Sequence, residues 1–388
     1  MIKSLQARNF RSLKNLKVDL GLNNVLVGPN ASGKTNIIEA LRFLTAIAIV
    51  GPKKAITDRL GYPEVQWKGK DSGPIYLRLL ADVMDLELDR VRVEYEVEID
   101  GTALGIITLL SEKLTVSNAN KEVQLIDFRS GRGIARNIDG SKAFDASGDP
   151  SQSALEFNVP GWTGTRFKQY LGSWQFHRLV PQAMTQVNPA ARAAFLTETG
   201  DNLASWLATL KTSHSENFKR IEQVAKDCFP GLQELVTELT QLQTTFLSSR
   251  DEYLQRPVNA WGLSGGELCF IALASEILAP PEFGAPLHCI EEVENHLNPR
   301  LLEALLNLHR QWQAVYVNQP SGAAQVVITT HSPYVVDKFD LKELIIVEKR
   351  EGETKIVRPS DQPHLQSLLE DQEAGLGDLW YSGALGGA

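Results

Sequence analysis

From Ile2 to Leu20, apolar and polar residues alternate around Asn9-Phe10-Arg11-Ser12 as they do in a half-buried strand, and Asn24-Val25-Leu26-Val27 reads as a short buried strand. A glycine-rich turn follows. From Asn36 the spacing of Ile37, Ile38, Ala40, Leu41 and Leu44 gathers apolar side chains on one helical face. The opening order is therefore strand, loop, helix. Between Ile75 and about Asp139 the rhythm returns to period two, in Tyr76–Leu80, Val91–Val97 and Leu114–Val116, which predicts antiparallel hairpins. Asn202–Cys228 reads as helical, with Leu203, Leu207, Leu210, Phe218 and Ile221 near a helical stripe, ending before Pro230-Gly231. It is far too short for a long coiled-coil arm.

After Pro257 the pattern becomes α/β. A helix is expected from about Gly266, a strand at Leu287–Ile290, a helix from Pro299, a strand at Gln325–Thr329 and a last strand near Leu344–Val347, an alternation that implies a parallel sheet. Lys53–Lys70 and Phe144–Ser153 read as exposed loops. No internal repeat or low-complexity tract interrupts the 388 residues.

Composition narrows the function classes. Lys plus Arg number 39 against 47 Asp plus Glu, a formal charge of -8, so there is no global attraction to phosphate backbones or anionic lipid, and any nucleic-acid contact must be local. Cys228, Cys269 and Cys289 lack paired metal-ligand spacing and leave an odd thiol, which points to a reducing, cytoplasmic setting. The start lacks an apolar signal core, and Leu44–Val50 is too short to span a bilayer, so neither export nor membrane insertion is expected.

Gly28-Pro29-Asn30-Ala31-Ser32-Gly33-Lys34-Thr35 matches G-x-x-x-x-G-K-[ST] in full, between a strand and a helix. Glycines let the backbone approach so that successive N–H groups face a β-phosphate, and the helix N-terminus adds a field that favours anions. Lys34 would reach the β- and γ-phosphates of ATP, and the Thr35 hydroxyl would ligate Mg2+. Gly28, Asn30, Ser32, Gly33, Lys34, Thr35 and Asn36 are the expected nucleotide contacts.

Two further segments carry candidate chemistry. Leu287-His288-Cys289-Ile290 ends in Glu291-Glu292, at the carboxyl end of a strand where open α/β sheets bind ligands. Glu291 would hold magnesium through water, and Glu292, facing another way, would position or deprotonate an attacking water. A solvated loop also accounts for two such glutamates. Gln325–Thr330 leads into His331-Ser332-Pro333, where His331 could report the γ-phosphate, although lone histidines are usually structural. Ser173-Trp174-Gln175-Phe176-His177-Arg178 reads as a buried strand rather than an aromatic nucleic-acid platform. Arg129, Arg132 and Arg136 fit a phosphate-facing loop and a solvated hairpin equally well.

Leu263-Ser264-Gly265-Gly266-Glu267 opens a helix and offers a hydroxyl, two glycines and a helix N-terminus, a second phosphate receptor. This turn resembles the ABC ATPase signature. Its succession with the Walker A loop, the Walker B glutamates and a switch histidine resembles stand-alone ATPases of the SMC, RecF and OLD-like group. Asn9-Phe10-Arg11-Ser12-Leu13-Lys14 resembles the N-F-R-S-x-K start of those proteins, Ile290–Pro299 their I-[DE]-E-P-E-N-x-L-H-P block, and Thr329–Pro333 their T-T-H-S-P. Glu291 stands for the commoner Asp, while Val293 and Asn298 replace the usual Pro and His.

The resemblance implies an α/β fold: a P-loop ABC ATPase head with a mixed central sheet, an antiparallel β lobe and a helical lobe. Its expected segments are 1–140 with the Walker A loop and β lobe, 141–256 as a mainly helical insertion, 257–350 with the remaining motifs, and a tail 351–388. It also implies ATP and Mg2+ as ligands and a head-to-tail homodimer, open to higher assembly, in which Ser264, Gly265 and Gly266 of one subunit complete the site built on Lys34 and Glu292 of the other. Gln66, before Trp67, is the expected magnesium-sensing Q-loop residue beside Thr35 and Glu291.

In role, the resemblance implies an ATP-driven switch acting on a separately encoded effector, a nuclease or toxin, in defence against phage. The alternative is a RecF-like, DNA-binding repair ATPase. OLD-like nucleases add a TOPRIM domain, for which the roughly 55 residues after His331 are too few. The tail segment Gly377–Gly383 is expected to dock on the chain's own core rather than on a partner.

Overall fold

The computed structural model describes residues 1–84, 90–118, 121–146, 148–280, 283–317, 323–361 and 375–382. The chain divides into two units, one made of Met1–Trp174 with Gln325–Ala388 and the other of Gln175–Ala324. These boundaries differ from the four expected segments because the last strands of the chain pack with its first ones, a partition that sequence order does not display.

In the discontinuous unit, an eight-stranded antiparallel sheet runs in the order Leu13–Asp19, Ile2–Phe10, Ile75–Met84, Arg90–Gly101, Ile107–Ser117, Glu122–Arg129, Arg132–Arg136, Lys142–Asp145. Its alternation is the one read from sequence: Leu77, Leu79, Val93, Tyr95 and Val97 are buried. Arg129 and Arg132 flank the two-residue turn Ser130-Gly131, both at positive φ (46° and 76°), so this segment is a tight hairpin.

The same unit holds the strands that flank the loop Gly28–Thr35. Gln325–Thr330 and Leu344–Arg350 pair in parallel on either side of Asn23–Val27, and Glu353–Val357 closes the edge antiparallel. Helix Lys34–Val50 lies against the strands Ile2–Phe10 and Gln325–Thr330 and buries Ile37, Ile38, Leu41, Leu44 and Ile47. Phe43 stacks on Phe10 with ring centroids 5.2 Å apart.

Unit Gln175–Ala324 is built on the helices Leu203–Ser213, Ser215–Cys228, Gly265–Ile277 and Pro299–Tyr316. It also contains a parallel pair, Gln175–His177 with Leu287–Ile290, and a small antiparallel sheet around Thr244–Asp251. Gln175–His177 is thus a strand, with Trp174 and His177 buried, which favours the structural reading of this aromatic segment.

Several expectations are corrected. Lys53–Lys70 is not a loop throughout: Pro52–Thr57 and Tyr62–Val65 are short helices with proline in the first turn, burying Ala55, Ile56, Tyr62 and Val65. Helices of six and four residues are too short to display a period. Phe144 lies in a strand, its ring 5.0 Å from Trp162 and 5.1 Å from Phe157, while residue 147 of the expected loop lies outside the described residues. Asn202–Cys228 is helical as expected, in two helices that meet at His214, whose backbone (φ −141°, ψ 56°) leaves the helical region. The apolar stripe continues across this break and so conceals it.

In the tail, Leu376–Tyr381 is helical. Leu379 packs on Ile346, and Gly377 donates its N–H to Asp337 Oδ1 at 2.6 Å, so the described part docks on its own unit. Residues 362–374 and 383–388, including Gly383, lie outside the described residues. Among the described residues no helix is long and apolar enough to cross a membrane.

Candidate functional site

The loop Gly28–Thr35 connects the buried strand Asn23–Val27 to helix Lys34–Val50. Two glycines are sterically required. A Cβ on Gly28 would collide with the carbonyl of Val347, and Gly33, at φ +109°, would drive one into the Thr354 side chain. Ala31 also adopts positive φ, 65°. Lys34 is buried, and its Nζ donates to the carbonyls of Gly28 (2.6 Å) and Pro29 (3.0 Å), so the ammonium lies against the backbone of the loop. Asn30 and Thr35 are exposed, and the buried Ser32 Oγ has no hydrogen-bond partner among the described residues.

These features fit a triphosphate. The loop is forced close by its glycines, it opens a 17-residue helix, and it carries a cation, an unsatisfied hydroxyl and an exposed hydroxyl.

A polar brace that the motif does not reveal holds the loop. Ser12 Oγ accepts from Asn36 Nδ2 at 2.6 Å and shares a 2.6 Å bond with Thr354 Oγ1, and Thr354 Oγ1 in turn donates to the Ser32 carbonyl at 3.0 Å. Ser12 belongs to the N-F-R-S segment, whereas Thr354 lies in no recognisable motif. Beneath the loop, the Glu39 carboxylate, 8% exposed, meets Arg59 at 2.7 Å, Arg42 at 3.0 Å and Arg11 at 3.9 Å.

His331 follows the strand in which Thr330 is level with Val27, so it emerges beside the start of the phosphate loop and is exposed. Gln66 forms an isolated bridge with Phe10, and its Nε2 donates to the Gly73 carbonyl at 2.9 Å.

The other motifs lie in the unit Gln175–Ala324. Ser264 is the N-cap of helix Gly265–Ile277 in a full capping box: its Oγ accepts from Glu267 N at 3.2 Å, and Glu267 Oε2 accepts from Ser264 N at 2.7 Å. With the acceptor side engaged, the hydroxyl proton remains available to a ligand oxygen. Ser264 is exposed, and Gly266 passes so close to the His296 carbonyl that a Cβ would sit 2.8 Å from it.

Glu291 follows the strand Leu287–Ile290, is buried, and donates its N–H to the His177 carbonyl at 2.9 Å. Glu292 sits at φ 50°, in the left-handed region, where the chain turns out of the strand. Asn295 Nδ2 donates to Glu292 Oε2 at 2.6 Å. Asn298, where relatives in the resemblance carry His, caps helix Pro299–Tyr316 by accepting from Leu301 N at 3.0 Å. Glu267 and Asn295 are supports that the motif reading passed over, although S-x-x-E before an apolar run is a visible capping signal.

Thus Gly28–Asn36, Gln66 and His331 belong to one unit, and Ser264–Gly266, Glu291 and Glu292 to the other.

The chain is similar to known proteins in parts of its sequence and in its fold. The DNA replication and repair protein RecF of Lactococcus lactis subsp. lactis is 48% identical over 44 residues, 11% of this chain and 12% of the relative. RecF of Pediococcus pentosaceus is 39% identical over 70 residues, 18% and 17% of the two chains. The chain therefore matches only a small part of these relatives' length. In fold it is similar to an SmcHead bound to the C-winged helix domain of ScpA, with TM-score 0.53, 14% identity, 92% of this chain and 97% of that one. It is likewise similar to an Smc head domain with an extended coiled coil bound to the C-terminal domain of ScpA derived from Pyrococcus furiosus, with TM-score 0.53, 13% identity, 95% and 99%. The P-loop head architecture is thereby established, and because residues 24–337 match the family model described as "AAA domain, putative AbiEii toxin, Type IV TA system", the chain belongs to that family as an SMC/RecF-like AAA ATPase.

Proposed function

We propose that the chain hydrolyses ATP with Mg2+ in a head-to-tail homodimer, and that closing and opening of this dimer controls a separately encoded effector in the cytoplasm, in defence against phage. The observation that carries the dimer is the Ser264 capping box. It leaves a hydroxyl donor on an exposed helix N-terminus, a second phosphate receptor in a chain that already has a complete one at Gly28–Thr35. One triphosphate is cradled by one such loop, so the second receptor serves the nucleotide of a partner copy.

In this reading Lys34 leaves the Gly28 and Pro29 carbonyls to bind phosphate oxygens, and the loop N–H groups hold the β-phosphate. Thr35 and Glu291 hold the metal, with Gln66 as its sensor. Magnesium, when bound, neutralises developing phosphate charge. Glu292, oriented by Asn295, positions the attacking water and accepts its proton, and His331 contacts the γ-phosphate. Ser264, Gly265 and Gly266 donate to that phosphate from the partner copy.

Lys34→Ala is expected to abolish nucleotide binding in fluorescence titration. Glu292→Gln is expected to bind ATP normally and to stop turnover in a phosphate-release assay, and wild-type turnover by this variant would remove Glu292 from its role.

The short RecF matches support a second reading, a repair ATPase that clamps DNA. ATP turnover stimulated by duplex DNA, with stimulation falling steeply as salt rises, would favour it. Turnover indifferent to DNA favours the effector switch.

A further inference from the structure

Three titratable side chains of the unit Gln175–Ala324 converge in its interior without serving the nucleotide motifs. His177 ends the strand Gln175–His177, His288 lies in the parallel neighbour Leu287–Ile290, and Glu276 lies near the end of helix Gly265–Ile277. In the pairing, Gln175 is level with His288, so His177 and His288 share one face of the two strands, with ring centroids 6.2 Å apart. Glu276 Oε2 lies 3.6 Å from His177 Nε2 and 3.9 Å from His288 Nδ1. One ligand atom from each residue falls within 4.8 Å of the others.

We propose that His177, Glu276 and His288 form a binding site for a divalent transition-metal ion of the zinc class. It stands independently of the nucleotide site and of the effector reading.

Four observations carry the site. First, His177 is completely buried and, among the described residues, neither ring nitrogen has a hydrogen-bond partner, an arrangement that costs free energy unless an acceptor of its lone pair is present. Second, the donor set of two imidazoles and one carboxylate suits zinc and its neighbours, whereas magnesium and calcium prefer all-oxygen shells. Third, bonds of about 2.0–2.2 Å place tetrahedral ligands roughly 3.4 Å apart, so the 3.6 and 3.9 Å separations need only small ring rotations to close on an ion.

Fourth, the carboxylate is oriented from behind. Glu276 Oε1 accepts the Leu196 N–H at 3.3 Å, which leaves Oε2 turned to the imidazoles, an outer support of the kind metal ligands receive. The His288 side chain keeps 10% exposure, which provides access for the ion, and three protein donors leave the fourth position to water.

The consequence is a cross-link. The ion would tie the helix that begins at Ser264 to the strand that delivers Glu291 and Glu292, and the His177 carbonyl already accepts from Glu291 N.

The test uses the full-length chain, stripped with chelator and free of nucleotide, titrated with Co2+. One equivalent should bind and give visible ligand-field bands without the intense sulfur charge-transfer absorption that Cys228, Cys269 or Cys289 would produce, and Zn2+ should displace it. His177→Gln and His288→Gln should each weaken binding by more than about 100-fold, beyond the range typical of outer-shell partners. Glu291→Gln should leave it unchanged. Circular dichroism identifies any variant that fails to fold, and in that case competition of the wild-type chain against a zinc indicator dye decides. Wild-type protein that takes up no Co2+ or Zn2+, uptake that survives loss of the histidines in a folded variant, or uptake lost with Glu291 would each overturn the site.

Discussion

The phosphate loop and the signature turn both open a helix and both present hydrogen-bond donors, but they are held differently. Gly28–Thr35 takes its shape from distant segments: Val347 leaves no room for a side chain at Gly28, and Thr354 reaches Ser32 across 322 positions of sequence. Ser264–Gly266 is shaped mainly by its neighbours, through the reciprocal bonds of Ser264 and Glu267. A loop braced from far away should transmit local damage to the unit around it. A turn held by its own cap should lose its ligand contacts and little else.

The largest expected effect lies in the loop. Gly33→Ala would force an L-residue to φ +109° with its Cβ in the Thr354 side chain. Nucleotide affinity in a fluorescence titration should fall by more than about 1,000-fold, roughly 4.1 kcal/mol. Retention of affinity within a few-fold would show that the brace does not set the loop.

Next is the carboxylate beneath it. Glu39→Ala leaves Arg11, Arg42 and Arg59 without their shared partner in a largely buried setting, and breaking such a group should cost about 3 kcal/mol. Urea unfolding should show a lower midpoint with an unchanged slope. A shift below about 0.5 kcal/mol would mean that the arginines are solvated after all.

Ser264→Ala should be milder in stability, about 1 kcal/mol for the lost cap. It should leave ATP affinity of the single subunit within about twofold while weakening the ATP-bound dimer by at least tenfold, about 1.4 kcal/mol, in sedimentation. Equal losses in both would place Ser264 in its own subunit's site and erase the contrast.

The smallest expected effect is a pH dependence confined to the β-rich unit. Glu112 is fully buried among Tyr95, Ser153 and the Ala154 N–H, and burial raises its pKa above 4.5. The native state therefore holds a proton that the unfolded chain releases. The stabilising contribution is complete below pH 4.5 and is lost as pH rises through the raised value. The stability difference between wild type and Glu112→Gln should follow that course, and a difference independent of pH would remove Glu112 as its source.

Much of this was legible in the sequence because the chemistry imposes local spacing. The phosphate loop, the strand that ends at Glu291, the signature helix and the strand before His331 lie where their motifs place them. What escaped was non-local or short. Thr354 sits in an edge hairpin with no motif of its own, and Arg59 follows a six-residue helix in a segment that reads as loop. Glu39 looks like an ordinary charged helix residue until its three arginines arrive from elsewhere. The convergence of His177 with Glu276 and His288 is likewise invisible, since Glu276 lies 99 positions along the chain from His177 and on a different kind of element.

The central claim is that ATP joins two copies through Ser264 of one and Lys34 of the other. Light scattering of the Glu292→Gln variant with and without ATP and Mg2+ tests it most directly. The account predicts a shift from one copy to two on ATP addition, abolished by a second substitution, Ser264→Ala. A variant that binds ATP yet keeps the same mass with and without it would contradict the dimer.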